Sequence, residues 1–559
     1  MTLDGITLNA LVGELQILCG SKIEKIHQPE RDEIVLLLHT MQGKKRLVLS
    51  ANGAECRVHL TAAQKPNPDK APNFCMLLRK YISGGRITAI GQVGLERIVN
   101  IDITARDEIG VECAMRLVVE IMGKYSNIIL TRDGKVVDSI HRVPLDMSSV
   151  RQVLPGIQYA LPPMEKYDPR ELSERSLADV VKNGRLMQTL QGICKASEQE
   201  IFMRRFGAER VGMLSEDQAM RLAAGVKEFL EDMLEKKRPC VQLENGMPYF
   251  YSSAPYVMQP EENRKYFDTM NEAVDAFYTM QQEARLLESR RNNVRKQLKK
   301  HIVRIGKKLA MQTDALAGKD RCEKLRVYGE LVSANLYQIS RGAKEAKVYN
   351  YYTNEEIVIP LNSAISPSAN AEAYFKKANK LKTAAALAKE RYEEFSQELE
   401  YLESLDYALE AAESLQDVEE VRLDMMKYGY LAQPADKKKI RRADPLESPM
   451  HFVTSDGFQV FAGRNNRQND ALTFRAADAE DLWFHAKNAP GSHVILFLEG
   501  KEPTDTAIEE CAKIAAAHSK SRGAKAEVDY TKVKNVWKAN GAKPGMVLFK
   551  AQHTVVVET

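Results

Sequence analysis

Two short runs near the C-terminus, Asp481-Leu482-Trp483-Phe484-His485 and Pro490-Gly491-Ser492-His493-Val494-Ile495-Leu496, bring an indole, a phenyl ring, two imidazoles and a Pro-Gly pair close together. Apolar residues crowd both flanks, Pro490 has a fixed φ and Gly491 a permissive one. The segment therefore reads as strand, turn, strand. A buried β-hairpin core accounts for such a pattern by itself. It anchors a C-terminal α/β module over 437–559 that closes in the strand Thr554-Val555-Val556-Val557.

Upstream lies the clearest periodicity in the chain. Val294, Leu298, Ile302, Ile305 and Leu309 recur at helical spacing, and Leu381, Ala388, Tyr392, Phe395, Leu399, Leu402 and Leu409 follow a near-heptad. The two helices carry opposite charge: Gln281 to Lys308 holds ten Lys or Arg against two acids, whereas Lys389 to Asp424 holds thirteen acids against three bases. Opposite signs favour pairing within one chain, so 266–436 reads as a long antiparallel coiled-coil hairpin. Its tip cap, over about 310–370, is expected to include strands at Tyr328-Gly329-Glu330-Leu331-Val332-Ser333-Ala334-Asn335-Leu336-Tyr337 and Glu356-Ile357-Val358-Ile359-Pro360-Leu361. The basic run Lys437-Lys438-Lys439-Ile440-Arg441-Arg442 suits a solvated linker, or extra phosphate contacts beside a nucleic-acid-binding module.

The first part, 1–167, alternates as an α+β domain. A helix is expected around Leu8–Leu15, with strands at Glu33-Ile34-Val35-Leu36-Leu37-Leu38, Arg46-Leu47-Val48-Leu49, Arg97 to Ile103 and Ser126 to Leu130. From 168 to 265 the pattern turns helical. Leu186 to Ile193 and a helix ending near Phe206-Gly207, joined around a glycine, suit either a helix-hairpin-helix unit or plain helical packing.

At 559 residues the chain exceeds one core, since domains cluster at roughly 100–200 residues. A net charge of +4 means that any affinity for nucleic acid must come from local patches. Eight cysteines lie far apart with no C-x-x-C pair, which argues against a zinc ribbon or thioredoxin-type site and suits a reducing cytoplasm. Met1-Thr2-Leu3-Asp4 has an acid where a signal peptide carries bases, and eighteen apolar residues never run together. An exported or membrane-spanning chain is not expected. With no Walker A loop, a nucleotide-driven cycle is not indicated, and no cofactor or metal is expected.

Several separated segments stand out: Asn73 to Ile82, Gly94-Leu95-Glu96-Arg97-Ile98-Val99, Glu120-Ile121-Met122-Gly123-Lys124-Tyr125-Ser126-Asn127, the tip from Tyr328 to Asn370, the Trp483 hairpin and Asn540-Gly541-Ala542-Lys543-Pro544-Gly545. Together they resemble the NFACT family in its bacterial RqcH-type branch, whose members are ribosome quality-control factors and have also been described as fibronectin-binding. They follow the family's order through nearly the whole chain, and the chain stops where the bacterial members stop. The resemblance implies a multidomain α+β protein: a glycosylase-like NFACT-N domain, a helix-hairpin-helix region, the coiled-coil hairpin with its cap, and an α/β NFACT-R RNA-binding module. Glycosylase chemistry is not implied, since Met1-Thr2 supplies no N-terminal proline nucleophile.

The resemblance further implies a non-enzymatic factor that binds a stalled large ribosomal subunit carrying peptidyl-tRNA. It would recruit alanyl-tRNA and promote template-free alanine tailing, with an RqcP-like RNA-binding protein as a partner. The family's acid-arginine pair falls on Glu96-Arg97, with glutamate where aspartate is usual. A guanidinium there can fork to phosphate or a base edge and stack on a base. A surface salt bridge is what the dipeptide alone suggests. Glu120, Ile121 and Met122 match a second segment tied to tRNA handling, although Ile121 and Met122 also suit a strand core. Arg79 and Lys80 suit phosphate contacts or a solvated helix end equally. In the last module Asp481, Trp483, His485, Ser492 and His493 are candidates for RNA contact through stacking and hydrogen bonding, with Trp483 or Phe484 also expected in the core. His485 and His493 lack a third metal ligand nearby in sequence. A surface adhesin is the alternative function, disfavoured by the N-terminal sequence and the cysteines.

Overall fold

Period-two alternation in the first unit, residues 1–284, builds one antiparallel sheet: β1 (Lys22–Glu30), β2 (Glu33–Thr40), β3 (Gly43–Ser50), β4 (Arg57–Thr61), β5 (Arg86–Gln92), β6 (Ile98–Arg106), β7 (Glu112–Glu120), β8 (Asn127–Arg132) and β9 (Lys135–Ser139). The order across the sheet is β4-β3-β2-β1-β5-β6-β7-β8-β9. Ile34, Leu36 and Leu38 of β2 point one way and are fully buried with Leu47 and Leu49 of β3. Against that face pack α1 (Gly5–Leu15), through Leu8, Leu11 and Leu15, and α2 (Asn73–Ile82), through Cys75, Leu78 and Ile82. Each large aliphatic side chain so buried contributes about 1.5–3 kcal/mol.

This computed structural model describes residues 3–558 except 108, 149, 209–211, 245, 318, 434–443 and 522–524. The basic run over 437–442 therefore lies outside the described residues.

The first unit continues through α3 (Glu174–Val181), α4 (Leu186–Thr189), α5 (Lys195–Phe206) and α6 (Glu216–Leu234) around Leu190, Phe202, Leu222 and Phe229. Helix α4 is shorter than the sequence suggests. It stops at Thr189, and Leu190 turns extended to bridge Tyr167. Gly207, with φ of 66°, closes α5 as a left-handed cap whose N–H donates to Met203 O. A small sheet of β10 (Cys240–Glu244), β11 (Met247–Ser252) and β12 (Arg264–Tyr266) follows. Helix α7 (Met270–Ala317) then begins with its N–H groups capped by Glu14, at 2.6 Å from Met270 and 2.9 Å from Asn271.

In the second unit, residues 285–559, α7 pairs with α9 (Pro367–Glu410), which opens on Ser366 and a first-turn proline. Val294, Leu298 and Ile305 of α7 interlock with Tyr401, Leu402, Leu405 and Leu409 of α9, and α10 (Leu415–Lys427) adds Val418, Val421 and Met425. The opposed charges meet at Arg295, whose guanidinium lies 2.7 Å from Asp406 and 3.2 Å from Glu410.

At the tip, α8 (Lys319–Ala334) precedes the hairpin of β13 (Glu345–Asn350) and β14 (Glu355–Pro360). The expected strand at 356–361 is present as β14, but the one at 328–337 is not: residues 328–334 belong to α8 and 336–338 form a 3-10 turn. Val327, Tyr328, Leu331 and Val332 sit at helical spacing and bury one stripe, and Gly329 lets the Phe375 ring of α9 approach to 3.0 Å of where a Cβ would stand.

The C-terminal sheet contains β15 (Met450–Val453), β16 (Gln459–Ala462), β17 (Leu482–Ala486), β18 (Val494–Phe497), β19 (Lys525–Lys532) and β22 (His553–Glu558), in the order β15-β16-β18-β17-β19-β22. The short β20 (Val536–Trp537) and β21 (Leu548–Phe549) pair separately. Two helices complete the module, α11 (Asn466–Ala471) and α12 (Asp505–Ala517). One sheet face buries Phe484, Val494 and Leu496 under Cys511, Ala512 and Ala515 of α12; the other buries Trp483 and Ile495 under Leu472, Val533 and Val536. The expected hairpin is present, with Leu482 opposite Leu496 and Phe484 opposite Val494. Its left-handed residue is Asn488, at φ of 56°, rather than Gly491. Gly491 is required for closeness: a Cβ there would stand 2.9 Å from Ser519 Cβ.

Among the described residues no helix is long and apolar enough to cross a membrane.

Candidate functional site

Glu96 and Arg97 lie half-buried on the turn between β5 and β6, and the turn is held on every side. Gly94 takes φ of 55°, Glu96 N–H donates to Val93 O at 2.9 Å, and Val93 N–H donates to Ile98 O at 3.1 Å. Gln92 Nε2 donates to both Gly5 O, at 2.8 Å, and Glu96 O, at 2.9 Å. Leu95 N–H donates to Gln191 Oε1 at 3.1 Å. Three backbone segments converge here: a Cβ on Gly5 would stand 1.8 Å from Leu95 O and 3.0 Å from Gly192 Cα.

The sequence reading missed this convergence. Asp4 ends the chain's entry into α1, its Oδ1 accepting from Thr7 N–H at 2.7 Å. Burial pushes its carboxyl up from the usual range, opposed by its hydrogen bonds and by the nearby Arg97 guanidinium. Cys194 Sγ donates to Asp4 Oδ2 at 3.5 Å, and burial, with the Asp4 charge, pushes its thiol up to about 11. This is an inert thiol rather than a nucleophile. Arg97, Lys166 and Lys195 ring an open cleft of about 640 Å³, with Glu96 on its edge and Asp4 and Cys194 in its wall. Three cations beside the first turns of α1 and α5 suit phosphate oxygens, and the adjacent carboxylate suits an amino or hydroxyl donor. An N-cap acid followed by glycine, and a glycine after a short helix, were the available signals. Neither reveals that Leu95 lies between them.

The second segment sits directly behind Arg97. Ile121 N–H donates to Arg97 O at 2.8 Å, and Glu120 is the register partner of Ile98. Their side chains face inward. Glu120 is completely buried, accepting from Tyr159 Oη at 2.8 Å and from the Arg151 guanidinium; Ile121 is in the main core and Met122 is half-buried. The buried Glu120 and Ile121 side chains support the Arg97 backbone from behind. Arg79 is exposed at the end of α2, yet its Nε donates to Ile26 O at 2.9 Å, and Lys80 is exposed beside the Tyr81 ring.

In the C-terminal module the hairpin candidates divide. Asp481 is buried and accepts from Leu498 N–H and Asp478 N–H, both at 2.8 Å. Ser492 donates to Gly463 O at 2.6 Å, and His493, also buried, is 2.9 Å from Thr473 Oγ1. These three side chains hold the module together. Trp483 is fully buried between Phe549 and His485, with its Nε1 unpartnered among the described residues. His485, half-buried, lines a cavity of about 560 Å³ with Trp483, Lys487, Lys543 and Glu398. Burial holds its imidazole down at about 4, against the opposing charge of Asp529. Among the described residues no three His, Cys, Asp or Glu side chains gather as a metal site requires.

A family model described as NFACT N-terminal and middle domains matches residues 4–444, and one described as NFACT protein RNA binding domain matches 449–551. The chain is 36% identical to the Rqc2 homolog RqcH of Bacillus subtilis (strain 168), over all of this chain and 98% of the relative. It is 22% identical to the human ribosome quality control complex subunit NEMF, over 60% of this chain and 33% of that one. Among solved structures it is similar to the N-terminal part of the fibronectin/fibrinogen-binding protein from Streptococcus suis, at 29% identity and a TM-score of 0.43, covering 50% of this chain and 99% of that one.

Proposed function

The chain belongs to the NFACT family, and from that membership we propose that it is a ribosome quality-control factor. It binds the stalled large ribosomal subunit that still carries peptidyl-tRNA, recruits alanyl-tRNA, and promotes template-free alanine addition as a degradation tag. In this reading 1–167 is the glycosylase-like domain, 168–265 the helix-hairpin-helix region, 266–436 the hairpin arm and 437–559 the RNA-binding module. The protein works in the cytoplasm with an RqcP-like RNA-binding partner.

One observation supports it above the others: Glu96 and Arg97 stand half-exposed on a turn pinned from behind by Ile121 N–H, beside Lys166 and Lys195. A pinned turn leaves only the side-chain rotamers of Arg97 to be fixed on binding, which lowers the ordering cost of the contact. The lysines hold phosphates; Arg97 forks to a phosphate or base edge; Glu96 accepts from a base amino group. Peptide-bond formation belongs to ribosomal RNA, and the protein's contribution is placement of the aminoacyl-tRNA.

The test is to recover tagged wild-type and Arg97→Ala proteins from lysate and identify the bound RNA. Large-subunit RNA with both, and alanine tRNA lost only from the variant, is the expected outcome. Wild-type protein without ribosomal RNA would overturn the reading.

A further inference from the structure

The outer face of β1 to β4, turned away from the core, carries a second and chemically different depression. Strand register sets it out in two rows. Lys25, Leu37, Arg46 and Thr61 stand side by side in one, and His27, Val35, Val48 and His59 in the next. Directly opposed residues of antiparallel strands share a face, so the middle is an apolar floor of Val35, Leu37 and Val48. Polar groups stand at both sides.

The first turns of α7 form the roof. Asp275 accepts from Thr61 Oγ1 at 2.5 Å and from Ala62 N–H at 3.1 Å, and Tyr278 and Gln282 close the far side. The enclosed volume is about 210 Å³, below the roughly 300–1,000 Å³ of drug-sized sites.

Its walls are preorganised. The buried Arg57 guanidinium lies 4.3 Å from the Tyr278 ring centre, donates to Glu33 at 2.9 Å and to His59 Nε2 at 3.3 Å, and is neutralised in place. Lys65 is likewise taken up by Glu30 and Glu33. The positive charge without a carboxylate partner among the described residues stands at the mouth. Lys25 is exposed there, and Arg46, half-buried, donates among the described residues to Ala62 O and Gln64 Oε1. That charge is felt by His27, whose imidazole is held below its ordinary value by burial and then by Arg79, Lys25 and Arg46, so it offers both a donor and an acceptor.

We propose that this depression is a nucleotide-binding site: one base lies on Val35, Leu37 and Val48, with its ring edge at His27 and its phosphate between Lys25 and Arg46. A bare phosphate would leave the apolar floor unused, and a purely apolar ligand would leave the cations unused. A flat ring joined to an anion matches both halves. The nucleotide is either a free mononucleotide or one residue of an RNA chain. The site is formed by β1 to β4 and α7, shares no residue with the Glu96-Arg97 cleft, and does not rest on the function proposed above.

Full-length protein is titrated with the four ribonucleoside 5′-monophosphates, adenosine, inorganic phosphate and a labelled single-stranded oligoribonucleotide. Lys25→Ala and Arg46→Ala, at the rim, should each weaken nucleotide binding by about tenfold, and Leu37→Trp should block it, with urea midpoints recorded for all three. Arg97→Ala should leave it unchanged even where tRNA capture is lost, which separates this site from the cleft. Monophosphates that respond to the rim variants identify a free nucleotide; a response confined to the oligoribonucleotide identifies a residue of an RNA chain. Binding of neither, binding indifferent to Lys25 and Arg46, or inorganic phosphate or adenosine binding as tightly as the monophosphates would overturn the assignment.

Discussion

Gly5→Ala separates local helix preference from the packing that forms the Glu96-Arg97 cleft. By propensity alone the change stabilises a helix by up to about 1 kcal/mol. The structure reverses the sign. A Cβ on residue 5 would stand 1.8 Å from Leu95 O, whereas carbon and carbonyl oxygen rest at about 3.3 Å. The turn bearing Leu95, Glu96 and Arg97 must therefore retreat by about 1.5 Å, or α1 must move by as much. Gln92, which bonds both Gly5 O and Glu96 O, cannot follow both. Overpacking of this kind costs about 1–3 kcal/mol, and a misplacement near 1 Å lowers a geometry-dependent step by about a hundredfold. Urea denaturation of the purified protein, alongside capture of alanyl-tRNA on large subunits, reads both quantities. The expected result is a lower midpoint for the first unit and capture reduced as far as in Arg97→Ala, with subunit binding retained. An unchanged or raised midpoint with normal capture would refute the argument that these three backbone segments form the cleft.

Glu120→Ala should destabilise the first unit by about 3–5 kcal/mol, because it leaves the Arg151 guanidinium, with only 17% of its side chain exposed, without its carboxylate; a fluorescence-detected urea titration checks it, and a second change, Arg151→Met, should recover much of the loss. Acid should weaken the fold between pH 6.5 and about 4. His59 and His485 are both held down at about 4 by burial, so the unfolded chain takes up protons first and stability falls as pH falls through that window. For His59, whose side chain is 2% exposed, this amounts to about 3 kcal/mol at most, and less for the half-buried His485; replacing His59 by Gln should flatten the dependence of the thermal midpoint on pH. In the coiled coil, a double-mutant cycle of Arg295→Ala with Asp406→Ala should return a coupling of about 1 kcal/mol, reduced at high salt, since Arg295 is partly exposed.

Where one face of an element meets one environment, its pattern could be read directly. Val294, Leu298 and Ile305 against Tyr401 and Leu409 repeat one spacing over many turns, and the charge difference between the arms names the partner. Strands β2 and β3 were legible for the same reason. At the tip the reading went wrong because Tyr328-Gly329-Glu330-Leu331-Val332 is rich in aromatic and β-branched residues, a strand preference that packing of Leu331 and Val332 beside Phe375 overrides. Glu96 and Arg97 were found through family motifs, whereas Asp4, Gly5, Lys166 and Lys195 were not. They reach the cleft through long-range contacts that no local spacing reports. In the C-terminal module, the buried Asp481, Ser492 and His493 show how polar residues of a hairpin can be taken up by hydrogen bonds to Leu498 N–H, Gly463 O and Thr473, a role indistinguishable by composition from ligand contact.

The meeting of Gly5, Leu95 and Gly192 also sets a clock. Leu95 leaves the translating ribosome long before Gly192, and at ~5–20 residues per second the delay is roughly five to twenty seconds. Throughout that interval the chain has the arginine but not the wall it is held against. On the proposed reading, the cleft is therefore incomplete only for that early interval, and it can close around Arg97 once the first unit, residues 1–284, has emerged, while the second unit is still being made.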